Sequence, residues 1–81
     1  MITGTMKSEL VENARIWTLT VPELPQPGQL IEWDEPALGS IPARTGIRGW
    51  ISSVPSSWPE TVLITVAGES TRWTIIKIQG K

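Results

Sequence analysis

The sequence predicts an all-β domain, a small closed barrel of five strands preceded by a short N-terminal helical turn. Three observations carry that reading. Residues 61–78 (TVLITVAGESTRWTIIKI) set two apolar, β-branched runs around a short polar break that holds Gly68. Residues 15–21 (RIWTLTV) alternate large apolar groups with smaller or polar ones at the period of a strand. Between such runs lie connections rich in proline and glycine, which punctuate strands and stop helices.

Taken in order, residues 1–6 are weakly patterned and expected to be disordered, as chain ends commonly are. Residues 8–14 (SELVENA) read as one or two helical turns, with Ser8 as N-cap, Glu9 in the first turn and Leu10 above Ala14. An extended first strand is the alternative, because so short a helix needs packing to persist. In residues 15–21, Trp17, Leu19 and Val21 take one face and Ile16, Thr18 and Thr20 the other, and Pro22 ends the pairing. Residues 22–28 (PELPQPG) form a stiff, extended connection. Residues 29–34 (QLIEWD) are the next strand, with Ile31 and Trp33 on one face. Residues 35–46 form a long loop through Pro36, Gly39, Pro42 and Gly46. Residues 47–54 (IRGWISSV) are a strand in which Gly49 marks a bulge, a corner or a close backbone approach. Residues 55–60 (PSSWPE) turn the chain into the closing hairpin.

The hairpin can be registered. With Gly68 and Glu69 as a two-residue type II′ loop, Ile64 faces Trp73 and Val62 faces Ile75, so that Val62, Ile64, Val66, Trp73 and Ile75 share one apolar face. A slip by one residue would divide that patch between the two faces. Ile75, Ile76 and Ile78 still put apolar groups on both sides of the last strand. Closure removes the open edges that would endanger so small a sheet, and a tight terminal hairpin after long early loops suits an SH3-like barrel, with an OB-like one as the alternative.

The chain has 81 residues, so a single domain spanning 1–81 is expected. It has neither cysteine nor histidine, which leaves no disulfide framework, no thiolate or imidazole metal site and no imidazole base. Serine and threonine lack the partner that would activate them, and neither catalysis, a cofactor nor a metal is expected. Tyr and Phe are also absent, so five tryptophans carry all the aromatic packing. Each can bury about 200 Å², equivalent to about 5 kcal/mol at about 25 cal/mol per Å². Trp17, Trp33, Trp50 and Trp73 lie in strands and are expected in the core. Trp58, in a turn, either plugs a barrel end or stands exposed in a binding surface.

The net charge of −1 argues against electrostatic binding of nucleic acid. The charge is unevenly spread. Glu9, Glu12, Glu23, Glu32, Asp34 and Glu35 against Lys7 and Arg15 leave −4 on residues 1–40. Arg44, Arg48, Arg72, Lys77 and Lys81 against Glu60 and Glu69 leave +3 on residues 41–81. No apolar run approaches the length of a membrane span and no signal peptide opens the chain, so a cytoplasmic location is expected.

Two clusters have a composition that suggests chemistry. Glu32 and Asp34 project to one side of a strand beside Glu35, an arrangement open to acid–base or hard-cation work, although a solvated strand end is the simpler reading. Residues 44–49 (RTGIRG) resemble an anion-binding loop in composition, with Arg44 and Arg48 as bidentate donors, although a structural turn with two solvated arginines is the simpler reading. Trp58, Arg44, Arg48 and Arg72 make up the candidate ligand- or partner-binding set. The function expected is that of a non-enzymatic, Trp-rich interaction module that binds a partner protein or itself, as a homodimer. The alternative is an anion, small-ligand or nucleic-acid binder using the Arg44–Arg48 loop and Trp58.

Overall fold

The computed structural model describes residues 1–80, and these contain six strands and no helix. They are β1 (Ile2–Val11), β2 (Ala14–Val21), β3 (Leu30–Glu35), β4 (Arg44–Ser53), β5 (Thr61–Val66) and β6 (Thr71–Ile78). They close into a barrel in the order β1-β2-β6-β5-β4-β3. Four junctions are antiparallel, while β1·β3 and β2·β6 are parallel. The expected five-stranded barrel, SH3-like or OB-like, is therefore corrected to six strands.

The extra strand comes from the N-terminus. Residues 8–14 are not a helical turn: residues 8–11 complete β1, and Ala14 opens β2. Glu12 and Asn13 between them both take positive φ, 52° and 67°, as the two central residues of a type I′ hairpin do. The initial residues are not disordered either, because Ile2 and Met6 of β1 lie in the core and Ile2 to Thr5 pair with β3. The hydrophobic gain is what orders them: two large apolar side chains leave water, worth on the order of 2 kcal/mol each.

The core is one cluster. Met6, Leu19, Val21, Ile31, Trp33, Val62 and Ile64 are fully buried, and Trp17, Ile47, Trp58 and Ile78 pack against it. The inward set of β2 and of β3 is the one their alternation predicts. Of the three readings of Gly49, a bulge, a corner or a close approach, the close approach is present. A Cβ there would stand 2.5 Å from the Thr65 carbonyl oxygen and 2.6 Å from the Trp33 ring, so only glycine lets that ring fill the barrel against β4 and β5.

The closing hairpin is where the structure departs most from expectation. Gly68 has positive φ, but it is the third residue of a turn in which Glu69 N donates to the Val66 carbonyl, not the first central residue of a II′ loop. The register is consequently Leu63↔Trp73 and Ile64↔Arg72, one residue from that predicted. Val62, Ile64 and Val66 remain inside, now opposite Thr74 and Arg72, while Trp73 faces out and is 56% exposed. Ile76 points inward, so the outer face of the hairpin carries Leu63, Trp73 and Ile75 instead.

Candidate functional site

That register builds two surfaces, one at a mouth of the barrel and one on its outer wall. At the mouth, β6 turns Arg72 inward over the last core layer. Its guanidinium carbon lies 3.7 Å from the centroid of the Trp17 ring and 5.9 Å from that of Trp33. Glu35, at the end of β3, receives Arg72 Nη2 at 2.7 Å, Arg44 Nη2 at 2.9 Å and Trp33 Nε1 at 2.8 Å. Arg44 also donates to Glu69. Arg44 reaches this cluster because the β3–β4 register shifts between Trp33 and Glu35, placing one extra residue on β4 around Gly46 (φ 68°). The extra residue reverses the alternation and puts Arg44 on the face of Glu35.

The electrostatics follow from this packing. Burial pushes the Glu35 carboxyl upward, but the hydrogen bonds from Trp33 and Arg44 and the charge of Arg72 outweigh it and hold Glu35 below the usual carboxylate range. The bond from Arg44 lowers Glu69 as well. Burial lowers Arg72 against the pull of Glu35, and an arginine remains charged regardless. Glu35 spends both oxygens on fixed donors, and no buried side-chain nitrogen or oxygen among the described residues lacks a partner. The mouth is thus a closed ionic plug on the core.

The sequence-derived candidates fall around this plug without forming one open site. Arg44 and Arg72 are in it, each bonded to carboxylate. Arg48 points to the outside and pairs with Glu32 at 3.0 Å. Trp58 is partly buried and packs against the core. The three carboxylates of β3 are dispersed: Glu32 to Arg48, Asp34 to the Gly46 amide at 3.1 Å, and Glu35 to the plug. Among the described residues no group of three acidic side chains is placed to hold a metal ion. Glu32 and Glu35 from the acidic half pair with Arg44, Arg48 and Arg72 from the basic half, so folding cancels much of the asymmetry read from the sequence.

On the outer wall, Trp73 stands between Leu63 of β5, which faces it, and Ile16 and Ile75, all half-buried. A depression of about 250 Å³ opens there, lined by Ile16, Trp17, Thr61, Trp73 and Ile75, with Arg15 among its residues. The Arg15 guanidinium carbon lies 4.1 Å from the centroid of the Trp17 ring, and among the described residues no carboxylate pairs with it. A second, more polar depression of about 290 Å³ lies along β1 and β2, between Lys7, Glu9 and Lys77. Trp73 and Arg15 were not in the sequence-derived set. The only available signal for Trp73 was the alternative hairpin register, which exposes it.

Comparison of the chain with protein-family models, curated proteins and solved structures gives no match. Among the described residues no helix is long and apolar enough to cross a membrane.

Proposed function

We propose that the protein is a non-enzymatic interaction module that grips a segment of a partner protein on the outer wall around Trp73. The observation that carries this reading is the exposure of Trp73, 56% open to water amid half-buried Leu63, Ile16 and Ile75. A tryptophan on a strand contributes nothing to the core when it faces out, whereas in an interface it is among the residues that supply most of the binding energy. The adjoining depression has room for an apolar side chain, and the unpaired charge of Arg15 favours a carboxylate beside it. The partner is accordingly an extended segment that presents an apolar anchor flanked by Asp or Glu.

The reading in which Arg44, Arg48 and Trp58 bind an anion or a nucleic acid has less support. Arg44 and Arg48 already hold carboxylates, which an anion would have to displace, and Trp58 is engaged with the core. Selection from a displayed random-peptide library on the immobilised protein tests the proposal. Enriched peptides should carry a Trp, Phe or Leu next to an acidic residue. Their affinity should fall at least tenfold with Trp73→Thr and severalfold with Arg15→Glu. Peptides that bind Trp73→Thr as well as they bind the native protein would overturn it.

A further inference from the structure

Beyond the barrel wall, β1 and β2 continue as a two-stranded arm. The pairing of β1 with β3 stops at Thr5 and that of β2 with β6 begins at Trp17, while β1 and β2 pair with each other as far as Val11↔Ala14. On the side away from β2, the backbone of β1 from Met6 to Val11 therefore has no neighbouring strand among the described residues. Leu10 and Val11 on this arm are 67% and 42% exposed. An unpaired strand edge offers a row of amides and carbonyls to another strand.

From this edge we infer that two copies of the chain associate by antiparallel pairing of β1 with β1 about a twofold axis at Ser8. The side chains select that axis. Lys7 and Glu9 lie on the same outward face of β1, both exposed, and neither takes part in an ion pair among the described residues. With the axis at Ser8, Lys7 of each copy lies opposite Glu9 of the other, giving two cross-strand ion pairs on one face. An axis at Lys7 or at Glu9 would set like charges against each other, and one between Ser8 and Glu9 would set Lys7 against Leu10. Isologous pairing of this kind closes on itself and leaves no free edge to propagate. It also brings the exposed Leu10 of each copy beside the Met6 backbone of the other. The short ladder buries little area, so the dimer forms at high micromolar concentration rather than at nanomolar. The inference does not rest on Trp73, although Arg15 beside that wall donates to Ser8 Oγ at 3.2 Å.

Sedimentation equilibrium between about 10 and 500 µM, with circular dichroism to confirm folding of each variant, tests it. The native mass should rise from 8.9 kDa toward twice that value. Lys7→Glu should weaken association at least fivefold, Glu9→Lys should do the same, and the double exchange Lys7→Glu/Glu9→Lys should restore it. Trp73→Thr should leave it unchanged. A mass that stays at the monomer value throughout, association indifferent to the single charge reversals, failure of the double exchange to restore it, or loss of association in Trp73→Thr would each overturn the inference.

Discussion

Arg72 and Trp73 are neighbours in β6, yet they end in opposite surroundings. The charged side chain is turned into the barrel mouth, with 11% of it exposed, and the aromatic one is turned out to water. The mouth tolerates a cation because Glu35, itself almost buried, meets it at 2.7 Å and two indole rings lie under the guanidinium. The outer wall tolerates a tryptophan because Leu63, Ile16 and Ile75 shield part of it. Composition alone orders these two residues the other way round. The contrast teaches that register is chosen by the sum over a strand, including the partners a charge finds at its end. The mouth is consequently a structural feature and the wall an available one.

The largest expected effect lies in the mouth. Glu35→Ala removes the acceptor for Arg72, Arg44 and the Trp33 indole at once and leaves a nearly buried cation with only the more distant Glu69 carboxylate, at 4.0 Å, as ionic partner. Breaking a buried pair from one side costs about 3–5 kcal/mol, which chemical denaturation would read directly. If the pair were a dispensable surface bridge, the loss would stay below about 1 kcal/mol. Gly49→Ala comes next. The added methyl meets a backbone oxygen that cannot retreat, so about 2 kcal/mol should be lost as β4, β5 and Trp33 are forced apart. A variant as stable as the native protein would show that the Trp33 ring does not fill the barrel there.

The smaller effect is acid sensitivity. Glu35 titrates below its ordinary value of 4.5 when folded, so in the acid range the unfolded chain takes up the proton first. The stabilisation is complete above about pH 4.5 and drains away as pH falls through the lower folded value. Thermal melts between pH 3 and 6 should show this decline, and Glu35→Gln should flatten it. An acid limb of unchanged steepness in that variant would assign the sensitivity to other carboxylates.

Much of this barrel is legible in the residues. The alternation of β2 and β3 places Trp17, Leu19, Val21, Ile31 and Trp33 inside, and Gly49 signals a bulge, a corner or a close approach, the last of which the structure contains. The N-terminal strand is legible only as the alternative to a helical turn, because Glu12–Asn13 is a weak turn signal beside Asn-Gly, and Ser8 and Glu9 mimic a helix start. Met6 has no local pattern around it; it is buried in the core beside its cross-strand partner Leu19 of β2. The hairpin register is not legible in the apolar face alone, because Arg72 is also drawn inward by Glu35, 37 positions away in sequence. Trp50 and Trp73 both lie in strands, yet Trp50 is only half-buried and Trp73 is exposed. For the candidate site, the sequence singled out Arg44, Arg48 and Arg72, of which Arg44 and Arg72 lie at the mouth and Arg48 outside it, but not that carboxylates already hold all three. Its one pointer to the outer wall is the apolar groups on both sides of the last strand, which do not single out Trp73.

The binding wall exists only if β6 turns Trp73 outward, and urea unfolding of Trp73→Thr tests this most directly. Threonine keeps the strand propensity and removes the ring. An outward Trp73, 56% exposed, predicts a loss of no more than about 2 kcal/mol, the worth of the part of the ring its neighbours cover, together with loss of peptide binding. A drop of about 3–5 kcal/mol, the cost of emptying a core tryptophan site, would place Trp73 in the interior and contradict both the register and the proposed binding wall.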